Sequence, residues 1–173
     1  GEVALHNCPR IADVFSMERI LRSLGAETCW EDHTLRICCR NLHGFEIDRE
    51  DAASMRSSVM LMGSLLGRQG CVRSAYPGGC TIGARPIDLH LKVFQAMGAE
   101  IGGIGTRRLC IRGVRILRDA QFWVPPDRIV AGTYLYAAAA TRGKVELLDV
   151  PVDEIASILR VYEKMGGQWE CNG

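Results

Sequence analysis

Three segments of this 173-residue chain can be laid over one another, and that recurrence constrains the fold more than any other feature. "GEVALHNCP" leads into "VFSMERILRSLGAETCW", "GCVRSAYPGG" leads past an insertion into "IDLHLKVFQAMGAEI", and "GKVELLDVP" leads into "VDEIASILRVYEKMGGQWEC". Each copy opens on Gly-X-Val, runs through a helical pattern, and closes on Leu or Met followed by glycine and a short strand. Gly1 to Gly25 and Gly143 to Gly166 are 24 and 23 residues apart; Gly70 to Gly98 are 28 apart, because the second copy carries an extra loop. Between the copies stand two helical stretches of small and apolar residues, "EDAASMRSSVMLMGSLLGRQG" and "PDRIVAGTYLYAAAATRGK", each after a short extended piece, "HGFEI" or "AQFWV". Strand-like alternation returns in "HTLRICC" and "RRLCIRGV". The unit is therefore strand, apolar helix, strand, amphipathic helix, strand, strand. The apolar helices lack a broad charged face, so they are expected inside, against one another, with sheets outside.

The length suffices for one compact domain with a real core. It is expected to hold about two and a half units: a partial first unit over 1–43, a second over 44–114 carrying the extra loop, and a third over 115–173 lacking its last strand. Unpaired strands at the two ends leave room for a homodimer through their edges. A formal net charge of +1 argues against a bulk nucleic-acid binder or a polybasic membrane anchor. Apolar runs such as "VMLMGSLLG" fall far short of a bilayer span, and no signal-peptide pattern is visible. Eight cysteines form no CxxC pair and no zinc spacing, so they read as small hydrophobes in a reducing, cytoplasmic setting with no metal or cofactor.

The extra loop, "YPGGCTIGARPIDLH", is where chemistry concentrates. Pro77-Gly78-Gly79 permits a tight turn that brings backbone N–H groups toward a ligand, and Gly83 to Pro86 make a second turn before a helix starting near Ile87 or Asp88. Cys80 reads either as a nucleophile or general acid, or as a small residue in a turn. Arg85 beside it could pair bidentately with phosphate or carboxylate and lower the thiol pKa. Arg56, inside an apolar helix, either faces a ligand at the helix mouth or snorkels to the surface. Asp127 starts the other apolar helix, where an N-cap explains it, although a carboxylate there could also act as a base. Asp88 and His90 read as a cap and a helix-face residue.

"MRSSVMLMGSLLGR", "YPGGCTIGARPIDLHLKVFQAMGAEI" and "VPPDRIVAGTYLYAAAATRGKV" resemble the enolpyruvyl transferase family, in its UDP-N-acetylglucosamine 1-carboxyvinyltransferase branch. The resemblance implies an inside-out α/β barrel-like domain of pseudo-threefold βαβαββ repeats, helices inside and sheets outside. It implies transfer of the enolpyruvyl group of phosphoenolpyruvate to the 3-hydroxyl of UDP-N-acetylglucosamine, the first committed step of peptidoglycan and hence cell-wall synthesis. Cys80 matches the loop cysteine that fosfomycin alkylates, Arg85 the residue holding phosphate, and Arg56 the arginine contacting phosphoenolpyruvate. Asp127 matches the aspartate handling the sugar hydroxyl, and Asp88 and His90 the loop's hinge and uridine side. The chain departs from the family in lacking an early lysine–asparagine pair, a serine–valine–glycine turn and further C-terminal arginines. A first-domain repeat runs into a second-domain repeat near 101–105. A shortened or internally deleted form, natural or engineered, is therefore expected, with a non-catalytic scaffold as the alternative.

Overall fold

Alternating residues in the first copy build β1 (Glu2–Leu5), β2 (Glu27–Glu31) and β3 (Thr34–Cys38), with β3 central and both neighbours antiparallel to it. The second copy builds β4 (Cys71–Ser74), β5 (Glu100–Gly102) and β6 (Leu109–Arg112), in the order β4-β6-β5 and again antiparallel. In the second sheet period-2 alternation turns one apolar row inward, whereas Val3 and Leu5 on β1 of the first stay exposed. Val72, Ile111 and Ile101 align across the second sheet, and the first two are completely buried. The computed structural model describes residues 1–78 and 86–172. The chain divides into two compact units, Gly1–Phe122 and Trp123–Gly173.

Six helices lie among the described residues: α1 (Ala12–Ser23), α2 (Arg49–Ser54), α3 (Met60–Gln69), α4 (Asp88–Ala96), α5 (Arg128–Thr141) and α6 (Ala156–Lys164). The three amphipathic ones, α1, α4 and α6, end identically. After Leu24, Met97 and Met165 comes a glycine with φ of +100°, +97° and +89°. The glycine N–H bonds back to Arg22, Gln95 or Glu163, and the next N–H to Leu21, Phe94 or Tyr162. A side chain strains against the left-handed backbone such a cap requires, which is why glycine recurs there. The recurrence seen in the sequence thus survives as a shared helix ending.

The core of the first unit is one cluster. Ile20 comes from α1 and Leu24 from its C-cap, Met62, Leu65 and Leu66 from α3, Leu91 from α4, and Val72, Leu109 and Ile111 from the second sheet. Glu18, also buried on α1, accepts from the Thr28 hydroxyl at 2.6 Å and the Trp30 indole N–H at 2.9 Å, fastening α1 to β2. The second unit has a core of only Ala131 and Leu135 from α5 with Ile155 and Leu159 from the α6 side.

Two expectations are corrected. The barrel-like, pseudo-threefold architecture is not formed: each sheet is an open three-stranded one, and among the described residues no sheet closes on itself. Closure needs every edge to find a partner. Here β4's outer edge meets only a single parallel bridge, Glu46 to Arg73, and "GKVELLDVP" forms no strand at all. A strand exists only by pairing, so an alternating segment without a partner stays irregular. The stretch read as one apolar helix from Glu50 to Gly70 is also broken. Met55 is extended (φ −148°, ψ 142°), and a 3-10 turn, Arg56–Val59, follows before α3 begins.

Candidate functional site

The break at Met55 makes an elbow, and the ends of the glycine–cysteine loop rest on it. The buried Ser58 hydroxyl donates to the carbonyls of Ala52 (3.1 Å) and Met55 (2.9 Å), replacing helical bonds that the break removes. The same Ala52 carbonyl accepts the N–H of Gly78 at 3.0 Å. This foot is so close that a Cβ on Gly78 would lie 2.0 Å from the Ala53 carbonyl oxygen, a contact only glycine permits. On the far side, the Arg56 guanidinium (Nη2) donates to the Pro86 carbonyl at 2.9 Å. Residues 52–58 therefore hold the chain at both Gly78 and Pro86. Tyr76 adds a third tie, its phenol oxygen accepting the Gly105 N–H at 2.9 Å.

Cys80 and Arg85 fall within 79–85 and lie outside the described residues. Arg56 is half-buried and stands at the start of the 3-10 turn. Asp88 opens α4, two residues past Pro86, exposed and 4.0 Å from Lys92. His90 is exposed on the same helix. Ile87, between Pro86 and Asp88, is buried and anchors the start of α4 in the core. Arg56, Asp88 and His90 are thus grouped around the loop's C-terminal foot. Asp127 belongs to the second unit, where its Oδ1 accepts the N–H groups of Ile129 (2.7 Å) and Val130 (3.3 Å) as the N-cap of α5. Tyr76 and Ser58 were not foreseen as parts of the site, and Gly78 was read as a turn former and not as a point of attachment. The double serine after Arg56 in an apolar run was the available signal, since a serine buried there needs a partner.

Among the described residues no group of three His, Cys, Asp or Glu side chains is placed to hold a metal ion. Nor is any described helix long and apolar enough to cross a membrane. The seven described cysteines are free thiols.

Comparison with known proteins is consistent along the chain. The sequence profile described as "EPSP synthase (3-phosphoshikimate 1-carboxyvinyltransferase)" matches twice, at residues 1–107 and 93–173. UDP-N-acetylglucosamine 1-carboxyvinyltransferase 2 of Caldanaerobacter subterraneus subsp. tengcongensis is 29% identical over 234 residues, covering 96% of this chain and 56% of the relative. UDP-N-acetylglucosamine 1-carboxyvinyltransferase of Wolbachia pipientis subsp. Culex pipiens is 29% identical over 247 residues, covering 99% and 58%. The chain thus spans about half the length of the curated relatives it matches. Among solved structures, the enolpyruvyl transferase NikO from Streptomyces tendae superposes with a TM-score of 0.57 at 19% identity, over 67% of this chain and 25% of that one. That last likeness is one of fold.

Proposed function

The chain belongs to the EPSP synthase (3-phosphoshikimate 1-carboxyvinyltransferase) family, that of the enolpyruvyl transferases, and from that premise we propose that it serves enolpyruvyl transfer from phosphoenolpyruvate to the 3-hydroxyl of UDP-N-acetylglucosamine. The observation that carries the proposal is the elbow at residues 52–58, which secures both feet of the glycine–cysteine loop and places Arg56 at one of them. The names of the curated relatives favour this acceptor over shikimate 3-phosphate. So does the cysteine in the loop.

In this reading Arg56 and Arg85 neutralise the phosphate of phosphoenolpyruvate, and fixed guanidinium donors gain strength where water is excluded. The sugar oxygen adds to the enol carbon, giving a tetrahedral adduct from which phosphate leaves. The Cys80 thiol assists by proton transfer or covalent addition. Asp127 takes or orients the hydroxyl proton while still capping α5, since one oxygen, Oδ1, serves both N–H groups of the cap. Asp88 and His90 stand at the hinge and on the uridine side. Peptidoglycan synthesis in the cytoplasm is the setting this acceptor implies. The unit boundaries 1–43, 44–114 and 115–173 with a junction near 101–105 remain part of the proposal. They are supported by the two profile matches overlapping at 93–107, and by alignments longer than the 173-residue chain. The open edges β1, β2 and β5 favour a homodimer.

Intact mass after incubation with fosfomycin, with and without UDP-N-acetylglucosamine, tests the reading. One adduct on Cys80, formed faster with the nucleotide sugar, is expected, together with phosphate release when both substrates are present. Asp127→Asn keeps an N-cap side chain and removes the charge; it is expected to lose about 10²-fold or more of turnover with alkylation unchanged. A folded protein that takes up no adduct and releases no phosphate would support the scaffold instead.

A further inference from the structure

Within the first unit a cleft of about 370 Å³ opens between α1, the start of α2, the end of β4 and the hairpin that joins β5 to β6. Its size is that of a small-ligand site. Arg49, Arg107 and Arg108 line it together with Glu46, Asp48 and Ser23. The two acidic groups are already engaged. Glu46 lies 3.9 Å from Arg73 and 4.0 Å from Arg108, and Asp48 accepts the Glu50 N–H at 2.8 Å to cap α2. The Ser23 hydroxyl donates to the Ile20 carbonyl at 2.8 Å. Arg49 and Arg107 have no hydrogen-bond or ion-pair partner among the described residues.

The hairpin's backbone is held in place. Gly103 turns with φ +79°, so close to Arg108 that a Cβ would lie 1.9 Å from that residue's carbonyl oxygen. The Thr106 hydroxyl bridges Gly103 and Arg108 at 2.8 and 2.9 Å, and Gly105 is tied to Tyr76. A wall fixed before the ligand arrives loses little entropy on binding. The cleft is also composite: Arg49 falls only in the first profile match and Arg108 only in the second, so its two walls come from segments on either side of the overlap.

We propose that this cleft binds a phosphate-bearing anion, with Arg49 and Arg107 as its principal donors and Arg108, shared with Glu46, as the third. Guanidinium forks match phosphate oxygens bidentately, and at these exposed arginines the attraction is one that salt screens. Arg56 is not among its lining residues, and its occupancy does not depend on enolpyruvyl transfer.

Calorimetric titration of the full chain with inorganic pyrophosphate at low salt tests the site. Saturable binding is expected, weakened about tenfold or more in R49Q/R107Q. R115Q/K144Q, which removes the same charge elsewhere, is expected to bind as the parent does. In the parent, amide shifts should centre on residues 46–49 and 105–108. Absence of saturable binding, equal loss in both double variants, or shifts centred elsewhere would each overturn the proposal. Because alkylation of Cys80 is read separately, a failure here leaves the transferase reading standing, and the converse holds.

Discussion

Gly78 is the residue on which the site most depends, and its role is steric. Its N–H bonds to the Ala52 carbonyl, and the Ala53 carbonyl oxygen occupies the space a Cβ would need. Gly78→Ala is therefore expected to cost about 1–3 kcal/mol in a urea melt, the range for forcing atoms into a packed contact. It should also slow fosfomycin addition to Cys80 by displacing the loop's N-terminal foot. An unchanged midpoint together with an unchanged alkylation rate would show that Gly78 is not docked on α2. The glycines at this turn were legible as turn formers, and Arg56 as a candidate, from residue type alone. What Arg56 holds was not legible, because its partner is a backbone carbonyl thirty residues away, and any residue at position 86 would supply one.

Between elements, a single carboxylate does what a longer run of contacts does elsewhere. Glu18 ties α1 to β2, and hydrogen bonds from Thr28 and then Trp30 hold its carboxyl below the ordinary 4.5; burial opposes this, and the charges of Arg22 and Arg10 add to it. A carboxyl lowered in the folded state stabilises above its unfolded pKa, and that stability is lost as pH falls through the folded value. Glu18→Gln should thus cost about 1–2 kcal/mol at neutral pH. The gap to the parent should narrow as pH drops below 4.5, measured by thermal melts across the acid range. A gap that stays constant with pH would mean the side chain acts through packing alone. At this scale the sequence was a good guide: period-2 stretches became β1, β3, β4 and β6, and the Leu-Gly or Met-Gly endings became helix caps. "GKVELLDVP" misled because its alternation signals a capacity to pair, and nothing local says whether a partner strand is present.

The whole molecule is uneven in how well it is held. The first unit shares one core among the second sheet and four helices, whereas the second has four buried apolar residues among the described ones to order about fifty. Trp123 and Leu148 in that unit are largely exposed. Amide exchange should accordingly find α5 and α6 opening well before α3 and β6, with protection factors lower by about 10² or more. Equal protection in both units would mean that the second is covered in solution by further surface, such as a second copy. Barrel closure was the part of the fold least accessible to sequence reasoning. Repeats announce a unit, but the number of strand edges that meet is a property of the assembled chain.

One consequence follows from the elbow at residues 52–58. Because Gly78 and Pro86 are both moored there, the places where the glycine–cysteine segment leaves and rejoins the core are set by residues outside that segment. Such a loop can be exchanged for another of different length or chemistry without disturbing the core beneath. The foundations decide where such a segment begins and ends, and leave what it carries free to change.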